Sequence, residues 1–417
     1  MAAEGSSALT LEQALASVER VNLNVLLSRE TAAQAVETAA GQRGALLPII
    51  GATVQQRRQQ QVSIGTVVTS SGRPTSRFDA LLTSSWSLFD PELIATVRGA
   101  RLGAQAAQAN YQAVVQTVLA DVAEGYFAHL RNQRRLAVLD ANITRARSLF
   151  TLARNQLEAG IVTQIDVTRA DAQVAQAEQA RLQQLTALVA SELFLKRLLE
   201  LPTVGELRLE EFQVRRVEPS LFVFSEQKTA FEHRAEYLAA QKNLEQAKAA
   251  VRASGFQRLP ALGVTANYGE ASPKYDDSDK QEQWNVTLGL SVPLFDLRLG
   301  TDKRIALSRQ RAQEARVRNL ELQITAELRL ALQDAGSRNA QIAVAEKSLA
   351  LAREELRLAQ QRYQQGVADN REVVDAQNRL AIAEDNQVEA IYQYNLSRVE
   401  LARTKGDVRG VLAEKAP

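Results

Sequence analysis

"LARNQLEAGIVTQIDVTRADAQVAQAE" at 152–178 and "LAQQRYQQGVADNREVVDAQNRLAIAE" at 358–384 are one segment written twice, 206 residues apart. Gly160 aligns with Gly366, Asp166 with Glu372, Val167 with Val373 and Glu178 with Glu384. Upstream of the first glycine, Leu136, Leu139, Ile143, Ala146, Phe150, Ala153 and Leu157 step by alternating threes and fours. Ile342, Ala345, Leu349, Ala352, Leu356, Ala359 and Tyr363 repeat the register in the second copy. Such a seam packs one helix against another. Each glycine then breaks the rod at a tight turn that reverses the chain.

The duplication extends outward from these turns. "LLP" at 46–48 answers "RLP" at 258–260, and "SLFD" at 87–90 answers "PLFD" at 293–296. The first pair is offset by 212 residues and the second by 206, which places about six extra residues in "SIGTVVTSSGRPTSR" (63–77), because insertions gather in loops. Between the landmarks the period is two. Leu262, Val264, Ala266 and Tyr268 alternate with small or polar residues, as do Trp284, Val286, Leu288, Leu290 and Val292. Each run predicts a strand with one apolar face. The first half predicts strands at about 47–61 and 78–89, for two hairpins and four strands in all.

The rest reads as helix. No proline interrupts 92–157, and about 67 residues at about 1.5 Å each make a rod of about 100 Å. Asp90 is placed as N-cap with Pro91 in the first turn. Helices return over 163–200 and 370–404, and shorter ones at 10–43 and 227–257 lead up to each hairpin. The organisation is a first repeat over 9–200 (hairpin about 47–89), a connector at 201–226 with a short strand or two, a second repeat over 227–405 (hairpin about 259–294), and a tail at 406–417. The fold class is mainly α with a small β part.

Composition excludes several classes. The 417 residues carry 50 basic and 48 acidic side chains, so no global field favours nucleic acid. There is no cysteine, hence no disulfide, thiolate metal site or cysteine nucleophile. His129 and His233 stand apart on helices, and no phosphate loop, catalytic triad or metal-ligand spacing is present. The reading is of a non-enzyme without cofactor or metal. "YDDSDK" (275–280) lacks the glycine and terminal glutamate of a calcium loop and reads as a surface loop. The start, "MAAEGSSALTLEQAL", has neither a charged nor an apolar leader region, and we expect a secretory leader to have been removed. No 18-residue apolar run exists for a transmembrane helix, which leaves a barrel open.

A hairpin with one wholly apolar face cannot stay in water, and four strands cannot close a barrel. Tyr268 and Trp284, near the loop end of the apolar face, take the place of membrane-interface aromatics. An open sheet edge is not tolerated in hydrocarbon, so copies must combine; three would give 12 strands around a wet lumen.

With "LTLEQAL" (9–15), "LLP" before a strand, "LFD" at a helix start and the paired glycine turns, the chain resembles the TolC family of outer-membrane efflux proteins over about residues 9–405. The resemblance implies a homotrimer with a 12-stranded outer-membrane β-barrel and a long periplasmic α-helical barrel. It implies a passive exit duct of a tripartite pump, with a periplasmic adaptor, an inner-membrane transporter and outer-membrane lipid as partners and no nucleic acid. Its cargo would be drugs or other small molecules, with type I protein secretion as the alternative and a soluble coiled-coil scaffold as the remote one. The family's tip-closing residues fall here on Asp166, Tyr363, Glu372 and Asp375, with Gly160 and Gly366 as the tip turns. Two residues past the second glycine, where some members carry a latching arginine, stands Ala368, and Arg371 lies nearby but displaced. Tyr363 also occupies a seam position, where packing is the simpler role, and helix-borne carboxylates commonly form a solvated face.

Overall fold

A computed structural model describes residues 8–60, 74–212, 215–216 and 224–414. Its elements run in chain order as helices α1 (Leu11–Val21) and α2 (Leu23–Gly44), strands β1 (Ile49–Gln59) and β2 (Thr75–Phe89), and helices α3 (Pro91–Glu158) and α4 (Gln164–Leu198). The same series follows again: α5 (Phe224–His233), α6 (Ala235–Phe256), β3 (Ala261–Ser272), β4 (Gln281–Ser291), α7 (Leu297–Gln364) and α8 (Asn370–Lys405), with a closing 3-10 turn at Val408–Glu414. Both long helices, α3 and α7, have 68 residues, and their ends are related by the 206-residue offset of the sequence repeat. Asp90 accepts from the Leu93 amide at 3.0 Å and Asp296 from the Arg298 amide at 2.8 Å, so each "LFD" aspartate satisfies an otherwise unpaired donor of the helix that follows.

Three local expectations change. The helix expected at 10–43 is broken at Asn22, whose side-chain oxygen accepts from the amides of Asn24 (3.0 Å) and Val25 (3.3 Å) and whose amide group donates to the Leu198 carbonyl at 2.8 Å. Asn22 thus starts α2 anew while tying it to the end of α4. The helix expected at 227–257 is broken at Arg234, whose buried guanidinium needs both Glu236 (2.8 Å from Nε) and Glu327 (2.7 Å from Nη1). In the connector the described residues hold no strand, only a parallel bridge between Leu9 and Leu209, because the chain there pairs with a single residue before α1. The six extra residues assigned to 63–77 fall largely on 61–73, outside the described residues.

The contacts gather the chain into two compact units, each drawing on both repeats. The first unit takes the chain up to Glu30, Ala109–Leu238, and Asn319 onward. One of its cores packs Leu11, Leu15 and Val18 of α1 against Leu119, Val122, Tyr126 and Phe127 of α3, Leu195 of α4, Tyr394 of α8, and Val408. The Tyr126 hydroxyl, deep in this core, lies 2.6 Å from the Glu210 carbonyl and 3.0 Å from that of Leu9, so a buried donor is satisfied by the connector.

The second unit, Thr31–Gln108 and Ala239–Arg318, contains the sheet. Its four antiparallel strands lie in the order β1-β2-β3-β4, so the two hairpins join through β2 and β3 while β1 and β4 are the outer strands. Register places Tyr268 opposite Trp284, Ala266 opposite Val286, Val264 opposite Leu288 and Leu262 opposite Leu290. These pairs therefore share one face.

Candidate channel wall and helical tip

Alternation along each strand sorts the sheet's two faces. Ile50 and Ala52 of β1 align through Ser84 and Leu82 of β2 with the pairs Ala266–Val286 and Tyr268–Trp284, and one row nearer the loop Val54 and Ala80 align with Glu270 and Glu282, where the apolar band ends. This face is bare: Trp284 is 72% exposed, Val286 64%, Leu288 65% and Leu290 66%. A contiguous patch of this kind marks a surface that meets lipid or another chain. The opposite face carries Gly51, Thr53, Thr83, Thr265, Asn267, Asn285, Thr287 and Gly289, small or polar and suited to water. Hollows of about 410 and 520 Å³ lie over it.

Tyr268 and Trp284 sit near the loop end of the apolar face, and Phe78 of β2 lies on that face still nearer the loop. Toward the helix end the same face presents Trp86, whose indole N–H donates to the Leu46 carbonyl at 3.0 Å. Aromatics thus close the loop end of the apolar band, as they do where a β-barrel meets a membrane interface, while Trp86 lies in its helix-side half, level with Val264 and Leu288. Trp86 and Phe78 escaped the sequence reading, although the alternation Phe78, Ala80, Leu82, Ser84, Trp86, Leu88 carried the signal.

The helix turns belong to the first unit. Gly160 has φ +74° and Gly366 φ +70°, a left-handed conformation that side chains with a Cβ disfavour. In both copies the residue after the glycine donates back into the helix, Ile161 to the Gln156 carbonyl and Val367 to that of Arg362, each at 2.9 Å. The following helix is then capped: Thr163 donates its amide (3.1 Å) and hydroxyl (2.8 Å) to the Asp166 carboxylate at the start of α4, and Asp369 accepts from the Glu372 amide at 3.2 Å on α8. The carboxylates six residues past each glycine differ in role: Asp166 accepts from the Thr163 amide and hydroxyl, whereas Glu372 gives only its backbone amide to the cap.

Around the turns, Leu149 and Ala153 of α3, Val167 and Ala170 of α4, Leu349, Leu356 and Tyr363 of α7, and Val373, Ala376 and Leu380 of α8 share one core. The two hairpins are tied by buried Asn370, which donates to the Asp166 carbonyl at 2.8 Å, and by Gln173, which donates to Asn378 at 2.6 Å. Asp166 is therefore half-buried, held by Thr163 and 3.7 Å from Arg169. Glu372 is half-exposed and 3.4 Å from Arg362, while Asp375 and Arg371 are exposed.

Tyr363 is 3% exposed and its hydroxyl has no hydrogen-bond partner among the described residues. Burial, and secondarily the charge of Asp166, push its phenol above the usual range. A buried, unpaired hydroxyl costs stability, so Tyr363→Phe is expected to leave stability unchanged or raise it by about 1 kcal/mol. Thermal unfolding of the detergent-solubilised protein measures this; a loss above about 1 kcal/mol would show that the hydroxyl holds the tip.

A family model described as outer membrane efflux protein matches residues 16–200 and 228–407. The chain is 26% identical over 391 residues to the pyoverdine export outer membrane protein OpmQ of Pseudomonas aeruginosa, spanning 91% of this chain and 80% of that one. It is 25% identical over 368 residues to the alkaline protease secretion protein AprF of the same organism, spanning 84% and 75%. The solved outer-membrane channel OprN shares the fold, with a TM-score of 0.85 at 20% identity over 95% of this chain and 89% of that one.

Proposed function

Because the chain belongs to the outer membrane efflux protein family, we propose that three copies close a 12-stranded barrel in the outer membrane and serve as the passive exit duct of a tripartite pump. The observation that carries the assembly is the sheet: four strands, a bare apolar face, a polar opposite face, and two outer strands whose free edges hydrocarbon does not tolerate. Pairing β1 of one copy with β4 of the next satisfies every edge. Twelve strands fall between the eight that side chains can fill and the sixteen that leave an aqueous channel, and the glycine, serine and threonine of the inner face keep the lumen open.

The helical unit lines the periplasmic part of the duct. Its six glycine turns per trimer are the surface offered to a periplasmic adaptor and, through it, to an inner-membrane transporter. Asp166, Glu372 and Asp375 are read as the charged groups around the narrowing there, with Tyr363 as packing behind them. Cargo is assigned to small molecules, supported by the likeness to the pyoverdine exporter. The likeness to AprF supports protein secretion as the second reading, and deletion of the gene separates them by whether small-molecule tolerance or a secreted protein is lost.

The assembly is tested by light scattering in detergent. A particle of three chains that disperses only with detergent is expected. A stable monomer without detergent would overturn the reading.

A further inference from the structure

We propose that the loop end of the sheet's polar face is a binding site for multivalent carboxylate or phosphate anions, centred on Arg57 and Arg77. The inference rests on the reading that this face lines the lumen.

Arg57 and Arg77 are direct cross-strand partners of β1 and β2. Like charges so placed repel and destabilise a ladder, so the pair persists only with compensation. Buried Asp79 supplies part of it. Its carboxylate accepts from Arg77 Nε at 2.7 Å, from Gln55 at 3.2 Å and from Gln283 at 3.2 Å, and Gln283 in turn accepts from Arg77 Nη2 at 2.8 Å. The network reaches from β4 to β2 across β3, where Gly269 pairs with both Gln283 and Leu81. A methyl group at Gly269 would stand 2.0 Å from the Ala80 carbonyl oxygen, so the strands close up there only because the side chain is absent.

This network fixes and neutralises Arg77 and takes three of about four acceptor positions of Asp79. Arg57 is exposed and has no ion-pair partner among the described residues. The cluster thus keeps one net positive charge per chain, three around the trimer. Both guanidinium groups border the hollow of about 410 Å³, a volume in the range of small-molecule sites. A guanidinium offers paired donors that match a carboxylate or phosphate edge, and a low-dielectric wall strengthens that match. The sequence alone hid the site, because its members come from residues 55–79 and 283 and meet only through the sheet register.

The test records the purified full chain in planar bilayers, with citrate as probe on the loop side. Citrate is expected to block the current, and Arg57→Gln to weaken that block roughly tenfold. Arg57→Lys, which keeps the charge but not the fork, is expected to retain part of it. Arg58→Gln, on the other face of β1, leaves it unchanged. The chain has no native cysteine, so Thr287→Cys tests the lumen reading separately with a hydrophilic thiol reagent. Current lost on Thr287→Cys labelling with citrate block untouched by Arg57→Gln overturns the anion site and leaves the duct standing. No effect of labelling at Thr287→Cys overturns both.

Discussion

Replacing Leu288 with arginine is expected to leave the protein largely uninserted and unassembled, at a cost of about 2–4 kcal/mol per chain. Leu288 is 65% exposed on the apolar face, opposite Val264 and in the same cross-strand row as Trp86, with Val286 and Leu290 flanking it on that face. A guanidinium there loses its water to hydrocarbon, and in a trimer it does so three times. Total stabilities of folded proteins are about 5–15 kcal/mol, so the sum decides the outcome. Thr287→Arg changes the neighbouring residue on the polar face, where water remains, and is expected to assemble normally with altered conductance. Outer-membrane fractionation followed by a heat-stability assay of the trimer reads the difference. If both variants assemble alike, the assignment of the two faces fails.

The second large effect is expected at the helix turns. Changing Glu372 to Gln and Asp375 to Asn removes six charges from the proposed narrowing of the trimer. Block by multivalent cations added on that side is expected to weaken roughly tenfold, and cation preference to fall. The two positions do not contribute equally. Glu372 is partly offset by Arg362 at 3.4 Å, whereas Asp375 is exposed, so Asp375→Asn alone accounts for the larger share. Folding changes little, because exposed charge pairs are worth about 0–1 kcal/mol and the Asp369 cap on α8 is left in place. Arg371→Gln, at the neighbouring exposed position, is expected to move selectivity the opposite way. Unchanged reversal potential and block in the double variant would return both carboxylates to a solvated helix face.

The candidate sites were legible to different depths. The turns at Gly160 and Gly366 could be read because they are local events: a glycine, the helical period before it and a capping residue after it all lie within a dozen residues. The lipid-facing residues of β3 and β4 were equally local, since alternation alone sorts a strand's faces. Tyr363 could be placed on a seam but not assigned a partner, and only packing shows its hydroxyl buried and unpaired. The arginine cluster was not legible, because Arg77 and Gln283, although at equivalent positions of the two repeats, differ in residue type and meet only through the sheet register.

By itself the sequence determined the repeat, the long helices with their capped starts and glycine ends, the four strands, and which face of β3 and β4 is apolar. All of these depend on hydrophobic period and turn chemistry, which act over one or two turns of chain. The tertiary structure alone decided that β2 pairs with β3, that Trp86 and Phe78 join the aromatics of the apolar face, and that Asp79 is buried against Arg77. It also decided the helix breaks at Asn22 and Arg234, where the Leu198 carbonyl and Glu327 offer partners that the local helical pattern cannot foresee. The physical reason is common to these cases. A buried polar group must find its partner wherever the fold brings one, and that choice depends on distance in space between residues far apart in the chain.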